Sequence, residues 1–71
     1  MSKADDMFKE LGFEKEEREY AEVYVKRTKY NVKQIGFNKL GISIQLGGVE
    51  TITISELQAI NEKVKELGWN E

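Results

Sequence analysis

The sequence contains no cysteine and no histidine. Without cysteine it has no disulfide, no thiolate nucleophile and no cysteine metal site. Without histidine it lacks the commonest general base and the commonest transition-metal ligand. Gly47-Gly48 is followed by neither a lysine nor a helix start, as a phosphate-binding loop would require. We therefore expect a protein that is not an enzyme and that holds no cofactor and no metal.

Long apolar segments are also missing. No apolar run approaches the roughly 20 residues that span a bilayer, and the charged first ten residues do not fit a signal peptide. The chain has 71 residues, of which 39% are hydrophobic and 34% charged, a globular composition. We expect one domain over 1–71, located in the cytoplasm and without membrane association.

The charges are divided along the chain. Residues 1–22 carry eight acids and four bases, whereas residues 23–49 carry five bases and no acid. Residues 50–71 carry five acids and two bases. The net charge of −2 therefore combines acidic ends with a basic middle.

A pentapeptide recurs near both ends: Lys-Glu-Leu-Gly followed by an aromatic residue, at 9–13 and at 65–69. Glycine just beyond a helix can adopt positive φ, and the next residue can fold back onto the last turn. Gly12 and Gly68 are therefore predicted to end two helices with positive φ. The expected contacts are Phe13 on Phe8 and Trp69 on Val64.

The two predicted helices begin at serine residues. Ser2 with Asp5, and Ser55 with Gln58, have the spacing of a capping box. Each start is followed by apolar residues at helical spacing. The first stripe is Ala4, Met7, Phe8 and Leu11, and the second is Leu57, Ile60, Val64 and Leu67.

Four segments between the helices alternate with period two, as strands do. They are 21–25, 35–37, 42–46 and 52–54, while 14–19 is a charged connection without apolar residues. An antiparallel meander must place all the apolar sets on one face. The pairs that achieve this are Val25–Ile35, Val23–Phe37, Phe37–Ile42, Ile35–Ile44, Ile44–Ile52 and Ile42–Ile54, with loops at 29–31, 38–41 and 47–49.

The predicted fold is an α+β two-layer sandwich in the order α-β-β-β-β-α, with both helices on one face of a four-stranded antiparallel meander. The other sheet face is open. The predicted core is Phe8, Leu11, Val23, Phe37, Ile44, Ile52, Leu57, Ile60 and Val64.

The open face is the first candidate site. Tyrosine is enriched and charge is depleted in interface cores, and this face has that composition. Its candidate partner-binding residues are Tyr20, Tyr24, Gln34, Ser43, Gln45 and Thr51. The alternative is an ordinary solvated sheet face on which Tyr24 covers Gly36.

The basic hairpin 26–33 is the second candidate site, with Lys26, Arg27, Lys29, Tyr30 and Lys33. Cations interleaved with an aromatic suit phosphate contact and base stacking on a nucleic acid. Against this stand a sequence pI near 5.2 and the lack of a recognised nucleic-acid-binding motif. Lysines on an edge hairpin also discourage aggregation between sheets.

The opening 7–13 and the closing run 52–69, which reads I-T-x-x-E-L-x-A-I and ends E-L-G-W, resemble small hypothetical proteins encoded by phages and prophages of low-GC Gram-positive bacteria. This resemblance implies no activity and no functional residues. It implies a phage accessory protein acting in the host cell cytoplasm by binding a host protein.

The leading hypothesis is therefore a non-enzymatic phage or prophage accessory protein that binds another protein, as an inhibitor of host or defence machinery. The alternatives are a nucleic-acid-binding module using the basic hairpin and a self-associating structural protein. The expected oligomeric state is a monomer or a weak homodimer.

Overall fold

The computed structural model describes residues 2–48 and 50–69, in which a helix precedes an antiparallel sheet of four strands and a second helix follows it. The elements are α1 (Lys3–Glu10), β1 (Glu14–Arg18), β2 (Ala21–Arg27), β3 (Val32–Asn38), β4 (Gly41–Leu46) and α2 (Ile54–Glu66). The strands lie in the order β1-β2-β3-β4. The predicted α-β-β-β-β-α order is confirmed. Val49, predicted to lie in a loop, falls outside the described residues.

One of the two predicted helix starts is confirmed. Ser2 caps α1, and its hydroxyl accepts a hydrogen bond from the Asp5 amide at 3.0 Å. The second helix runs from Ile54, and its N-cap is two residues before the predicted capping residue Ser55. Thr53 is its N-cap and forms a capping box with Glu56: the Thr53 hydroxyl accepts from the Glu56 amide, and Glu56 accepts from the Thr53 amide. The predicted start at Ser55 was wrong, because the capping box of Thr53 with Glu56 forms instead of the predicted box of Ser55 with Gln58.

The recurring pentapeptide ends both helices as predicted. Gly12 has φ of 93° and Gly68 has φ of 75°. The amide of Phe13 donates to the Phe8 carbonyl at 3.0 Å, and the two rings meet edge to face with centroids 5.5 Å apart. The amide of Trp69 donates to the carbonyl of Val64 at 3.0 Å. Each aromatic therefore follows a glycine that reverses the chain onto the preceding turn.

Three of the four predicted strands are confirmed as β2, β3 and β4, but the remaining strand is a different segment from the predicted one. Residues 14–18, predicted as a connection, form β1, and residues 52–54 are not a strand. β1 lies at the sheet edge and consists only of charged residues, so it has no apolar alternation to reveal it. Residues 52–54 instead lead into α2, with Thr53 as its cap.

The predicted pairing of β3 with β4 is confirmed by the pairs Phe37–Ile42 and Ile35–Ile44. The predicted pairing of β2 with β3 was wrong by one residue: Tyr24, not Val25, lies opposite Ile35. A slip of one residue moves every side chain of a strand to the other face. Tyr24 and Lys26 therefore lie on the helix-covered face. Val23 and Val25 lie on the opposite face but are still buried, with exposures of 5% and 1%, so the predicted burial of Val23 is confirmed.

The core lies between the helices and the strands β2 and β3. Its buried side chains are Phe8, Phe13, Tyr24, Ile35, Phe37, Ala59 and Ile60. The predicted core residues Ile44 and Leu57 are exposed instead. The helix α2 runs alongside β3. Glu56, near the start of the helix, contacts Lys33, and Trp69, just beyond its end, lies beside Phe37. β4 is the next strand outward, and its apolar side chains lie at the margin of the helix layer.

Candidate functional site

Half of the predicted open-face site lies on the open face. Gln34 lies opposite Gln45, and Gly36 opposite Ser43, as predicted. These residues line a shallow depression of about 310 Å³. Thr51 is outside the sheet, where its carbonyl accepts a hydrogen bond from the Lys33 ammonium group at 2.7 Å. Tyr20 lies in the turn between β1 and β2 and is 80% exposed.

Tyr24 was assigned to the wrong face. It is 1% exposed and stacks on Phe8 with ring centroids 4.1 Å apart. Its hydroxyl donates a hydrogen bond to Asp5. Burial raises the pKa of Tyr24, and the hydrogen bond to the Asp5 carboxylate raises it further. Tyr24 is thus a structural residue that joins β2 to α1, and the open face lacks its predicted aromatic contact.

The open face also carries charge on its β1 side. Glu16 accepts from Arg18 at 2.8 Å and from Arg27 at 3.1 Å. The hydrogen bonds from Arg18 and Arg27 lower the pKa of Glu16. The expected uncharged surface is therefore confined to its β3 and β4 side.

The basic hairpin is formed by β2, β3 and their turn, but its cations do not share one surface. Lys33 is buried against Glu56, and Arg27 pairs with Glu16 on the open face. Lys26 lies on the other face, with its ammonium group 5.8 Å from the centre of the Phe13 ring. Lys29 and Tyr30 are exposed in the turn. A nucleic acid could not contact all four cations together in this arrangement.

Two acidic groups on the helix side, Asp5 and Glu22, share the cation Lys15, and Glu22 also pairs with Lys63. Lys15 lies 3.0 Å from Asp5 and 2.9 Å from Glu22, and Lys63 lies 3.0 Å from Glu22. Hydrogen bonds from Lys15 and Lys63 lower the pKa of Glu22. Burial raises the pKa of Asp5, but hydrogen bonds from Tyr24 and Lys15 outweigh it and lower the pKa overall. These carboxylates are held ionised, which suits structural ion pairs better than proton transfer.

Within residues 2–48 and 50–69, no three groups of metal-ligand type are placed together. Neither described helix has the length and apolar character that crossing a bilayer requires.

A second concave surface, larger than the depression on the open face, is a groove at one end of the sheet, which we call the end groove. Tyr20, Leu40 and Trp69 border it with exposures of 80%, 98% and 38%. Its volume is about 1110 Å³. Phe37 and Leu67, which pack in or against the core, also line it. The remaining lining residues are Glu17, Arg18, Glu19, Ala21, Glu22, Asn38 and Lys39.

Only Tyr20 of the groove was among the predicted site residues. Leu40 was assigned to a hairpin loop and Trp69 to a helix end, and neither assignment suggests a shared surface. Three segments distant in the sequence meet here: the β1–β2 turn, the β3–β4 turn and the residues after α2. The one sequence feature that could have indicated the groove is Leu40, an apolar residue in the predicted hairpin loop between two strands.

A search of protein-family models, curated proteins and solved structures found no match to this chain.

Proposed function

We propose that this protein is a non-enzymatic protein-binding module that receives an apolar side chain of a partner protein in the end groove. The observation that supports this most directly is the exposure of Tyr20, Leu40 and Trp69 around one concavity. Isolated exposed apolar residues are ordinary, but a cluster with a polar rim is typical of interaction sites.

The composition of the groove suits a protein contact. Tyrosine and tryptophan are the residues most often found to dominate binding energy, because they bring a large rigid surface at low entropic cost. Phe37 is buried and Leu67 packs against the core, so the floor is already formed before a partner arrives. A preformed floor reduces the ordering cost of binding.

The charged rim defines the partner further. Glu22 is paired with Lys15 and Lys63, and Arg18 is paired with Glu16. The other charged side chains of the rim are the exposed Glu17 and Glu19 against Lys39. An apolar segment flanked by basic residues complements this rim, and rim charges act mainly on the association rate. The phage accessory role, with host or defence machinery as the target, is supported by the resemblance of the opening and closing motifs alone.

Selection of displayed peptides tests the proposal. Random peptides are selected on the wild-type protein, and their binding is measured by the fluorescence of Trp69, the single tryptophan. We expect peptides with an aliphatic or aromatic anchor, and we expect Tyr20→Ala with Leu40→Ala to weaken their binding by at least about tenfold, or 1.4 kcal/mol. Both side chains are exposed, so the double variant should remain folded.

The matched control is Tyr30→Ala, which removes an equally exposed tyrosine from the β2–β3 turn, away from the groove. It should leave peptide binding unchanged. Peptides that bind the double variant and the wild type equally would contradict the groove as the contact surface. If peptide binding were lost instead when Lys26, Arg27 and Lys29 are truncated, the basic hairpin would be favoured as the contact surface.

A further inference from the structure

The two edges of the sheet differ in charge. β1, at one edge, is Glu-Lys-Glu-Glu-Arg and has no uncharged residue. β4, at the other edge, lies within the run 40–49, which has no charged residue. Charged side chains at an edge prevent another strand from adding to it. The β1 edge is thus protected against strand addition and the β4 edge is not.

The β4 edge presents both free backbone and apolar side chains. Among the described residues, β4 pairs only with β3. Ile42, Ile44 and Leu46 share its helix-side face and are 41%, 45% and 38% exposed. Residues 50 and 51 contact Asn31 and Lys33, at the end of the β2–β3 hairpin, so the described part of the next segment leaves this edge uncovered.

We propose that β4 is a self-association surface, on which a second copy of this chain adds its own β4 in antiparallel orientation. The pairing is centred on Ile44, which lies opposite Ile44 of the other copy. Ile42 then lies opposite Leu46, and Ser43 opposite Gln45. The two sheets join into one of eight strands, with both helix layers on the same side.

The second copy is favoured by the symmetry of the strand sequence. About Ile44 the pattern Ile-Ser-Ile-Gln-Leu matches apolar with apolar and polar with polar side chains when it is read in the opposite direction. Directly opposed side chains on one face are the pairs that stabilise antiparallel strands. The uncharged strand brings no like charges together when it meets itself.

The protected β1 edge makes this association stop at two copies. A head-to-tail contact of β4 with β1 would leave further edges free and build a filament. The pairing of β4 with β4 uses both apolar edges and leaves only charged β1 edges outside. The six residues of β4 span about 20 Å, so the contact falls below the roughly 800 Å² per partner of a stable complex. A weak, concentration-dependent dimer is the expected state.

Sedimentation velocity over a range of protein concentrations tests the proposal. The wild type should shift from monomer to dimer, and Ile44→Lys should raise the dissociation constant by at least about tenfold because two lysines then meet at the centre. Tyr30→Lys, an equally charged change at an exposed turn residue, should sediment as the wild type does. A wild type that stays monomeric at millimolar concentration, or an Ile44→Lys variant that dimerises normally, would overturn it.

Cysteine crosslinking tests the register without relying on the lysine variant. The chain has no cysteine, so Ile44→Cys introduces a single thiol at the dyad, within reach of its symmetry mate. Under mild oxidation this variant should form a disulfide-linked dimer faster than Ser43→Cys, whose thiol lies opposite Gln45. Equal rates, or faster crosslinking of Ser43→Cys, would rule out pairing centred on Ile44. The end groove takes no part in this contact, so peptide binding by Tyr20 and Leu40 is measured independently of either result.

Discussion

The ammonium group of Lys33 donates hydrogen bonds to both carboxylate oxygens of Glu56, at 2.9 and 3.0 Å. Both side chains are buried, and Lys33 also donates to the carbonyl of Thr51. Glu56 in turn accepts the Thr53 amide in the capping box. A cation of β3 thereby holds Glu56 in the capping box with Thr53, and this box accounts for the start of α2 at Ile54.

The buried pair should be strongly coupled. Lys33→Met leaves a buried carboxylate without its cation, and we expect a loss of about 3–5 kcal/mol in the free energy of unfolding. In the double variant with Glu56→Gln, both charges are removed while an acceptor for the Thr53 amide remains. Urea unfolding should place the double variant closer to the wild type than Lys33→Met alone. Losses that simply add would show that the two groups act independently.

Tyr24 is expected to affect stability rather than binding. Tyr24→Phe keeps the ring stacked on Phe8 but removes the hydrogen bond to Asp5, at an expected cost of about 1–3 kcal/mol. Asp5 still has Lys15 at 3.0 Å, which moderates the loss. Thermal melting measures this change, and peptide binding at the end groove should be retained. A folded Tyr24→Phe protein that no longer binds peptides would show that Tyr24 contributes to binding and not only to stability.

Stability should fall in acid, and Glu22 should account for part of that fall. Lys15 and Lys63 hold the pKa of Glu22 below its ordinary value of 4.5 in the folded protein. A carboxylate with a lowered folded pKa contributes stability above its unfolded pKa, and this contribution is lost as the pH falls through the folded pKa. The loss therefore begins below about pH 4.5.

Urea unfolding of Glu22→Gln at pH 7 and at pH 3 measures that contribution. The variant should be less stable than the wild type at pH 7, and the difference should shrink at pH 3. Glu10→Gln, which neutralises an exposed carboxylate at the end of α1, is the matched control and should show a smaller change. An equal difference between Glu22→Gln and wild type at both pH values would contradict the assignment.

The sequence predicted the helices and the order of elements because glycine stops and apolar stripes are local signals. It failed where two local solutions were nearly equal. Both faces of β2 carry residues that are buried, Val23 and Val25 on one face and Tyr24 on the other. The observed register brings Tyr24 into contact with Phe8 and Asp5, and these contacts lie far apart in the sequence. β1 was missed because an edge strand of charged residues has no apolar period. The end groove was missed apart from Tyr20, because a concavity formed by three distant segments leaves no single motif.

The positive φ at Gly68 gives the simplest test of the shared helix end. An added Cβ at Gly68 would meet no atom within 4 Å, so Gly68→Ala changes backbone strain without a steric clash. We expect a loss of about 1 kcal/mol in unfolding free energy, since alanine resists φ of 75°.

Gly68→Asn serves as the control, because asparagine tolerates the left-handed conformation and should cost less than alanine. Gly12→Ala should lose a similar amount, since its Cβ would meet only the flexible end of Lys26, at 3.4 Å. Urea unfolding followed by circular dichroism compares the three variants on one scale. The order expected is wild type, then Gly68→Asn, then the two alanine variants. An alanine variant as stable as the wild type would show that positive φ is not what ends the helix, because the chain could then close its last turn without a glycine.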